Sequence, residues 1–357
     1  MKPGIFFMRT YKNLYNLLCS FENLYKAFRQ AAKGKSLRSY CAEFSYNREH
    51  NIFAIRDELL SGAYRHGAYR EFEVADPKRR QVKAAEFRDR VVHHALCNVI
   101  EPIFEARFIF DNFACRKGKG TLLALARCKK FVKRFEKGYV LKADISKYFY
   151  SVDHAILLKI IGRKIADKKV MCLIREILAS SQDDRFRAYF PNDDLFALER
   201  PTGIPIGNLT SQLFANIYLN ELDYFVKHEL RWKFYLRYMD DFLLFSSNKK
   251  ELFTALKRIE VFLAENLRLR AHPIKRTVSP VRCGVDWVGY RIYPWTARIR
   301  RINIFRFRKR NRYLKNLYRR KKISSRKIGN SIASFCGYAK WADAGRLIKQ
   351  LLEMEVF

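Results

Sequence analysis

The amino-acid sequence predicts an α+β fold, with short strands set between longer helical segments. Helices are indicated near both ends of the chain, because apolar residues recur every three or four positions around residues 14–25 and 328–335. Strands are indicated at residues 71–87 and 233–245, where apolar runs flank a polar break. With 49% apolar residues among 357, the chain can bury one large core or two to three modest ones.

The charge balance departs from that of an ordinary globular protein, with 71 Lys and Arg against 35 Asp and Glu and a formal net charge of +36. Self-repulsion of this size costs stability, so we expect a polyanionic partner. The 29 Phe and 20 Tyr residues are interleaved with the basic residues. This favours nucleic acid, since bases stack on rings while Lys and Arg contact phosphates. An anionic membrane surface is the weaker alternative, because no basic amphipathic stretch stands alone.

The eight cysteines include no C-x-x-C pair and no Cys/His cluster with zinc spacing. Cysteines scattered among core-like residues suit a reducing compartment, so we expect a cytoplasmic protein. The apolar run at residues 5–8 is too short for a signal peptide and far too short to span a bilayer. We therefore expect no membrane partner.

The N-terminal third of the chain combines helical patterns with one basic hairpin. The hairpin is predicted over residues 71–87, with its turn at Asp76-Pro77. Its basic tip can close on a triphosphate, although such a tip is often only solvated. Residues 91–100 are predicted as a helix that ends before Pro102.

Two stretches in the middle of the chain combine strands with carboxylates. A strand is predicted from Tyr139 to Asp144, and the sequence Tyr-Met-Asp-Asp from Tyr238 to Asp241 lies between two apolar runs. Adjacent carboxylates raise one another's pKa unless a cation neutralises them, and Mg²⁺ prefers oxygen ligands. An Asp-Asp pair alone is also ordinary turn chemistry. Three carboxylates together suit two Mg²⁺ ions in nucleotidyl transfer.

A loop rich in proline and glycine is predicted at residues 201–207, where two Pro and two Gly exclude a helix. Thr210 or Ser211 is predicted to cap the helix that follows. A glycine-rich loop before a capped helix lets the backbone approach a ligand closely. The loop can therefore place a base or sugar beside the carboxylates.

Other polar residues are predicted to serve the backbone. Asp153 is predicted as a helix cap and His154 as a surface side chain. The Asp pairs at 183–184 and 193–194 lie among turn-forming residues. They are predicted as turns and not as metal sites.

Four motifs follow one another along the chain. They are Asp144-x-x-x-x-Phe149, Gly203-Ile-Pro-Ile-Gly-Asn-Leu-Thr-Ser-Gln212, Tyr238-Met-Asp-Asp241 and Val288-Gly-Tyr290. In this order they resemble motifs A, B, C and E of reverse transcriptases, over about residues 70–345. The resemblance is narrower to the reverse transcriptases of diversity-generating retroelements, whose motif B has the form I-G-x-x-x-S-Q. That form is matched by Ile206, Gly207, Ser211 and Gln212.

The resemblance implies a right-hand polymerase with fingers, a palm whose antiparallel sheet packs on helices, and a helical thumb. The implied domains are an N-terminal extension and fingers at 1–138, a palm at 139–295 with a fingers insertion at about 155–200, and a thumb at 296–357. Between Trp287 and Ala342 the chain has 17 Lys and Arg and no Asp or Glu, which gives the thumb a basic face. Because the chain ends at Phe357, we expect no RNase H, endonuclease or integrase domain.

The metal site is implied by the same resemblance. Asp144, Asp240 and Asp241 would hold two Mg²⁺ ions, for which Mn²⁺ can substitute, and the backbone carbonyl of Ile145 would be a further ligand. Lys275 resembles the lysine that protonates the leaving pyrophosphate as a general acid. The residues before this lysine depart from the family's usual pattern.

The resemblance also implies a pocket for the dNTP and the templating pair. Phe149 would be the steric gate, its ring filling the space that a ribonucleotide's 2′-hydroxyl needs. Lys78 and Arg80 would contact the incoming triphosphate. Ile206 would lie near the templating pair, where an apolar residue in place of glutamine removes positioning hydrogen bonds and lowers selectivity. The remaining pocket residues are Gly207 and Gln212.

The implied function is that of an RNA-directed DNA polymerase that copies a retroelement RNA into cDNA with errors at adenines, in a bacterial or phage-infected cell. Template RNA, primer or cDNA, dNTPs and a small basic accessory protein are the implied partners. One alternative is a retron or group II intron-type reverse transcriptase of ordinary fidelity, and another is a non-catalytic RNA-binding scaffold. An intact carboxylate triad with Phe149 argues against the scaffold, because a binding module needs neither.

Overall fold

The computed structural model describes residues 10–75, 79–180, 188–190 and 193–355. In these residues the chain forms fourteen α-helices and nine strands. The strands are β1 (Arg70–Val74), β2 (Arg80–Ala84), β3 (Tyr139–Asp144), β4 (Tyr235–Tyr238), β5 (Asp241–Ser246), β6 (Thr277–Pro280), β7 (Val285–Trp287), β8 (Tyr290–Ile292) and β9 (Ala297–Ile299). The helices are α1 (Leu14–Leu18), α2 (Phe21–Ala32), α3 (Ser39–Tyr46), α4 (Arg48–Ser61), α5 (Phe87–Glu105), α6 (Thr121–Arg134), α7 (Tyr148–Ser151), α8 (His154–Gly162), α9 (Lys168–Ala179), α10 (Leu209–Tyr224), α11 (Lys249–Leu267), α12 (Arg301–Arg319), α13 (Ser325–Ala339) and α14 (Gly345–Glu355).

The chain divides into two compact units, and each unit is assembled from segments that are separated in sequence. Helices that pack on antiparallel strands confirm the predicted α+β class. The first unit contains Met1–Phe110, Asp144–Arg231 and Arg258–Pro273. The second unit contains Asp111–Ala143, Trp232–Lys257 and Ile274–Phe357.

Helix α5 forms the centre of the first unit, where it packs against α2 and α10. Twelve of its 19 residues are buried, so it is a core helix and not a surface helix. It continues to Glu105 through Pro102, and the prediction that it ends before Pro102 is wrong. Proline cannot donate a helix hydrogen bond, and the free energy lost in this way is offset by burial of Ile103 and Phe104 in the core.

The first unit also contains the basic hairpin. Strands β1 and β2 pair antiparallel with Arg70 opposite Ala84 and Val74 opposite Arg80, which confirms the predicted hairpin. Both strands are short and largely exposed, so the hairpin presents side chains on both faces. The predicted turn and the predicted triphosphate ligand Lys78 lie outside the described residues.

The second unit is built on two sheets. A four-stranded sheet has the order β4-β5-β3-β6, and a three-stranded sheet has the order β7-β8-β9. One hydrophobic cluster joins strands of both sheets to α6, with Phe131, Phe245 and Trp287 among its members. The same cluster includes Phe307 of α12 and Phe335 of α13, whose rings stack at 4.0 Å. The predicted helical pattern at residues 328–335 therefore lies in a packed helix, α13.

Candidate active site

The Asp240-Asp241 pair lies at the hairpin between β4 and β5, in the second unit. The strand register sets Tyr238 opposite Asp241, so Met239 and Asp240 form a two-residue turn. Met239 has a φ of 56°, in the left-handed region that tight hairpin turns require. Both aspartates are half-buried. The predicted strand-turn-strand pattern is confirmed, and the turn holds the two carboxylates in a defined backbone conformation.

A buried arginine in β4 fixes this turn. Arg237 is fully buried, and its Nη1 donates a hydrogen bond of 2.9 Å to the carbonyl of Met239. The backbone of Arg237 bonds to its neighbours in the same unit, donating to the carbonyl of Asp111 at 2.9 Å and accepting from the amide of Phe113 at 3.1 Å. Burying a guanidinium is costly unless it is hydrogen-bonded, so this residue has a specific positioning role. The sequence signal for it is a charged residue inside an apolar strand.

Asp144 is the last residue of β3, and it belongs to the first unit. Its side chain is buried, and its backbone carbonyl accepts a hydrogen bond of 2.7 Å from the amide of His272. Ile145 continues this pairing as a bridge to Ala271. The adjacent amide of Ser146 donates to the carbonyl of Arg270 at 2.8 Å. The backbone that follows the strand is therefore held on both sides of the predicted carbonyl ligand.

The donors predicted for the metal site are all oxygens, three carboxylates and one carbonyl, and this set suits Mg²⁺ in kind. Strand β3, which ends at Asp144, is hydrogen-bonded to β5, which begins at Asp241. Within the described ranges, no three or more His, Cys, Asp and Glu side chains are grouped so that they could hold a metal ion. The two-metal site and the role of the Ile145 carbonyl stay predictions.

Backbone hydrogen bonds join the segment after Asp144 to the proline- and glycine-rich loop within the first unit. The amide of Ile204 donates a hydrogen bond of 2.7 Å to the carbonyl of Phe149. The amide of Gly203 donates a hydrogen bond of 2.9 Å to the carbonyl of Val152. The ring of Phe149 is half-buried and meets Tyr148 edge-on at 5.7 Å. The position of Phe149 is therefore set by main-chain contacts and leaves part of its ring accessible to a ligand.

Gly207 occupies a place that only glycine fits. Its φ is +121°, and a Cβ there would lie 2.8 Å from Cγ1 of Val82 on β2. The adjacent carbonyl of Ile206 accepts a hydrogen bond of 3.1 Å from the amide of Lys83. Because an added methyl group would collide with the hairpin, Gly207 allows the loop and hairpin to pack closely.

Helix α10 begins at Leu209, and its N-cap is Asn208. The predicted caps Thr210 and Ser211 are buried inside the helix, so that prediction is wrong. The side chain of Asn208 accepts a hydrogen bond of 3.4 Å from the amide of Ala85 and makes no cap bond. This contact ties the start of the helix to the end of the hairpin.

A cavity of about 590 Å³ opens beside this loop in the first unit, and Gly207 and Gln212 line it. This volume is within the range of small-molecule sites. Burial lowers the pKa of its two histidines, His93 to about 3 and His94 to about 4, so both are neutral at neutral pH. The positive charge of the cavity comes from its other basic residues, which are Lys35, Arg70 and Arg90.

A smaller cavity of about 340 Å³ brings the predicted triphosphate ligand Arg80 together with Tyr150, the residue after Phe149. Arg80 is exposed at the start of β2, whereas its neighbour Arg79 pairs with Glu73 at 3.5 Å. The hairpin and the residue that follows the predicted steric gate therefore border one space. In the second unit, Lys275 is exposed just before β6, and its role as a general acid stays a prediction.

An ion-pair network supports the same loop. Asp193 receives two hydrogen bonds from Arg200, at 2.7 and 2.9 Å, and lies 3.2 Å from Arg268. Asp153 joins both arginines, at 3.3 Å from Arg268 and 3.6 Å from Arg200. The hydrogen bonds from Arg200 lower the pKa of Asp193 to about 2. Asp193 also accepts a hydrogen bond from the amide of Phe190, so this predicted turn residue is part of an ion-pair network, whereas the pair predicted as a turn at 183–184 lies outside the described residues.

The residues at the start of α8 give one confirmed prediction and one error. Asp153 caps the helix through a 3.0 Å bond from the amide of Ile156, as predicted. His154 is buried and not at the surface, with Nε2 at 2.7 Å from the carbonyl of Gly203, and burial lowers its pKa. The error arises because the loop that buries this histidine is far from it in sequence.

Asp144 is the last residue of β3 and Asp241 is the first residue of β5, and these strands are neighbours in the four-stranded sheet. Comparison with known proteins gives the class of the protein. The chain belongs to the family described as Reverse transcriptase (RNA-dependent DNA polymerase), whose sequence profile matches residues 75–292. This membership confirms the predicted enzyme class and polymerase fold.

Relatives of the chain include bacterial and intron-related proteins. Protein YkfC of Escherichia coli (strain K12) is 27% identical over 277 residues, which cover 67% of this chain and 70% of that protein. Group II intron-encoded protein LtrA of Lactococcus lactis subsp. cremoris is 29% identical over 240 residues, which cover 66% of this chain and 35% of LtrA. Nuclear intron maturase 2, mitochondrial, of Arabidopsis thaliana is 27% identical over 192 residues, which cover 48% of this chain and 25% of the maturase. The matches thus span about a third or less of the two intron-related proteins.

Among solved structures, a telomerase from Candida albicans in complex with a telomeric RNA fragment matches with a TM-score of 0.41. The sequence identity is 10%, and the match covers 64% of this chain and 46% of the telomerase chain. This similarity is too low to support a functional argument. Separately, none of the helices in the described part of the chain is long and apolar enough to cross a membrane.

Proposed function

We propose that the protein extends a DNA primer on an RNA template by adding one dNTP at a time. The observation that carries the proposal is the strand order, in which β3, whose last residue is Asp144, and β5, whose first residue is Asp241, are neighbours in one sheet. Family membership supports the same chemistry. The formal net charge of +36 suits the phosphate backbones of a template and a primer.

In the proposed reaction, the primer 3′-oxygen bonds to the α-phosphorus while the bond from that phosphorus to the pyrophosphate oxygen breaks. Asp144, Asp240, Asp241 and the carbonyl of Ile145 would hold two Mg²⁺ ions. When bound, such ions lower the pKa of the attacking hydroxyl and stabilise charge on the leaving pyrophosphate. Lys275 would donate the proton that the leaving group takes up.

The nucleotide would lie beside the loop at residues 201–207. Phe149, whose carbonyl is bonded to the amide of Ile204, would present its ring to the sugar and exclude a 2′-hydroxyl. Arg80, together with Lys78, would contact the triphosphate. Gly207 would keep the loop close to the hairpin, and Gln212 would line the templating side.

The relatives favour a group II intron-type or retron-type enzyme of ordinary fidelity, because two of them are named as an intron-encoded protein and an intron maturase. The second candidate is the adenine-mutagenising enzyme of a diversity-generating retroelement, with a small basic accessory protein and mutagenic retrohoming as its context. The observation that favours it is Ile206, a half-buried apolar residue next to Gly207. An apolar side chain there offers no hydrogen bond to the templating pair.

The proposed domain division keeps an N-terminal extension and fingers at 1–138, a palm at 139–295 with a fingers insertion at about 155–200, and a thumb at 296–357. The hairpin β1–β2 would belong to the fingers, and the basic helices α12 and α13 to the thumb. A cytoplasmic location would suit the nucleic-acid and dNTP substrates.

Primer extension on RNA with dNTPs and Mg²⁺, followed by sequencing of the cDNA, tests the proposal. Faithful cDNA would support the intron-type or retron-type enzyme. Substitutions confined to template adenines, and reduced by Ile206→Gln, would support the mutagenic candidate. Absence of product, even with the cognate RNA and an accessory protein added, would contradict both and favour a binding scaffold.

A further inference from the structure

One peptide group in the loop at residues 201–207 lies between two residues of the segment that follows β3. It joins Gly203 to Ile204, and because a trans peptide group is planar, its amide and carbonyl point in opposite directions. The amide, on Ile204, donates a hydrogen bond of 2.7 Å to the carbonyl of Phe149. The carbonyl, on Gly203, lies 2.7 Å from Nε2 of His154. This one peptide group therefore links the ring of a buried histidine to the backbone of the predicted steric gate.

The ring of His154 is the donor in this chain of hydrogen bonds. A carbonyl oxygen can only accept, so Nε2 carries the ring proton. His154 is 5% exposed, and burial lowers its pKa, which keeps the ring neutral at neutral pH. Breaking a buried hydrogen bond leaves the carbonyl unsatisfied, and the free-energy cost exceeds that of losing the same bond in water. The contact therefore stabilises one orientation of the peptide group.

The backbone of His154 is held by contacts other than the one to Gly203. His154 is the first residue of α8, and its amide donates a hydrogen bond of 3.1 Å to the carbonyl of Pro201. The helix cap Asp153 accepts a 3.0 Å hydrogen bond from the amide of Ile156, and its carboxylate lies 3.3 Å from Arg268. The imidazole therefore projects from a well-anchored helix start, and its Nε2 is a fixed point against which the loop is set.

Gly203 makes the orientation of this peptide group depend on the histidine. Its φ is +94°, in the region that favours glycine. Because glycine has no Cβ, the peptide group that follows it can rotate at a lower free-energy cost than after other residues. The amide of Gly203 donates a hydrogen bond of 2.9 Å to the carbonyl of Val152, which holds the peptide group on the other side of this residue. The bond from His154 therefore directs the amide of Ile204 toward Phe149.

We propose that His154 is a positioning residue for sugar selection. Its Nε2–H orients the peptide group of Gly203 and Ile204, and that group holds the backbone of Phe149. The inference rests on the proposed function, in which the ring of Phe149 excludes a 2′-hydroxyl. Because the carbonyl and the ring of Phe149 branch from the same Cα, a shift of the peptide group moves the ring and opens the space for the hydroxyl.

A purely structural role is the competing explanation, in which the ring of His154 only fills space beside the loop. Two substitutions separate the roles. His154→Phe keeps an aromatic ring of similar size but has no N–H, whereas His154→Gln keeps an N–H donor at nearly the reach of Nε2. A ring that only fills space is replaced better by Phe, and a hydrogen-bond donor is replaced only by Gln.

The first experiment measures sugar selection in primer extension, as the kcat/KM for ATP divided by that for dATP. In His154→Phe this ratio should rise about fivefold, which is the effect of one buried hydrogen bond. In His154→Gln the ratio should stay within about twofold of that of the unmodified protein. If His154→Phe does not fold, His154→Leu, which also lacks a donor, is measured in its place with the same expectation.

Tyr15→Phe is the matched control. The hydroxyl of Tyr15 donates a hydrogen bond of 2.5 Å to the carbonyl of Leu59, and Tyr15 is buried in the same unit. This variant therefore loses one buried hydrogen bond to a backbone carbonyl, as His154→Phe does. Tyr15 lies in α1, which packs against α2, α5 and α9. The sugar ratio of this variant should equal that of the unmodified protein.

A double-mutant cycle tests whether the effect passes through the ring of Phe149. In Phe149→Ala the ring is already absent, so adding His154→Phe should not change the sugar ratio further. If the two effects multiply instead, the histidine acts on sugar selection by another route and the proposal is wrong.

Hydrogen exchange of the Ile204 amide tests the same link in the free protein, without dNTP or primer. This amide should exchange about fivefold faster in His154→Phe than in the unmodified protein, because the loop opens locally at a lower free-energy cost. Its exchange should be unchanged in His154→Gln and in Tyr15→Phe. Mass spectrometry of peptides that cover residues 201–207 gives the rate.

Three further results would overturn the proposal. They are an unchanged sugar ratio in His154→Phe, a rise of equal size in His154→Phe and His154→Gln, and unchanged exchange of the Ile204 amide in His154→Phe. Failure of the proposed polymerase function would appear differently, as no dNTP incorporation by the unmodified protein. In that case, faster exchange of the Ile204 amide in His154→Phe would still show that the histidine orients the loop.

Discussion

The proposed nucleotide pocket of the first unit and the two-aspartate turn of the second unit are fixed in different ways. In the pocket, main-chain hydrogen bonds join Phe149 to Ile204 and Ile206 to Lys83, and Gly207 allows close approach. In the turn, one buried side chain, Arg237, holds the carbonyl of the residue before the aspartates. The pocket should therefore keep its shape when the side chain of Phe149 is removed but not when a larger residue is introduced. The backbone conformation of the turn should depend on the guanidinium group of Arg237 alone.

Arg237→Met tests the second half of this comparison and should have the largest effect. It keeps an unbranched apolar chain in the core but removes the bond to Met239. We expect kcat to fall by about a hundredfold, because small misplacements of catalytic groups have effects of that size, while KM for dNTP changes little. Steady-state primer extension measures both constants. Arg134→Met, at an exposed arginine of α6, is the control, and an equal kcat for the two variants would contradict this role of Arg237.

Phe149→Ala tests the claim that the pocket keeps its shape when a side chain is lost. The carbonyl of Phe149 still accepts from Ile204, so the protein should fold and still use dATP. Opening the sugar space should raise the kcat/KM of ATP relative to dATP by about tenfold or more. Competing nucleotide incorporation gives the ratio. An equal loss for both nucleotides would show that the ring supports the fold and does not select the sugar.

Gly207→Ala tests the opposite change, added volume. The methyl group would lie 2.8 Å from Cγ1 of Val82, at a φ that alanine rarely adopts. We expect a loss of about 2 kcal/mol in the free energy of unfolding, measured by urea denaturation. Adding Val82→Ala should relieve the collision but not the backbone strain, so it should restore only part of the loss. No effect of Gly207→Ala would mean that the hairpin and loop are not closely packed.

Asp193→Asn has the smallest expected effect. Because Arg200 lowers the pKa of Asp193 to about 2 in the folded chain, from an ordinary 3.8, the ionised carboxylate stabilises the fold above pH 3.8. This stabilisation is lost as the pH falls through about 2. The free energy of unfolding of the variant at neutral pH should be lower by about 1 to 2 kcal/mol. Urea denaturation at several pH values measures how the free energy of unfolding depends on pH. Below pH 3.8 this free energy should fall less steeply for the variant than for the unmodified protein, and equal slopes would contradict the ion-pair assignment.

The features that the sequence predicted are those with local signals. The pairing of β1 with β2, the strand that ends at Asp144 and the turn before Asp241 each depend on residues within a few positions. The loop at 201–207 depends on prolines and glycines that exclude a helix. The motif order added the candidate carboxylates, because it links residues that are distant in sequence.

The features that the sequence did not predict depend on distant partners. His154 is buried because the carbonyl of Gly203 lies against its ring, and Asp193 is paired because Arg200 and Arg268 meet it. Helix α10 begins at Leu209 and not later, with Asn208 bonded to the hairpin. No periodicity or spacing encodes such contacts, since they form only when separate segments pack.

The most direct test of the central claim is dNTP incorporation on a primed RNA template with Mg²⁺. The unmodified protein should extend the primer. Asp240→Ala/Asp241→Ala should lower the rate by at least about a thousandfold, because the ions that these carboxylates would hold stabilise the transition state by several kcal/mol. Extension by the double variant at an unchanged rate would contradict the claim that this turn is the centre of a polymerase.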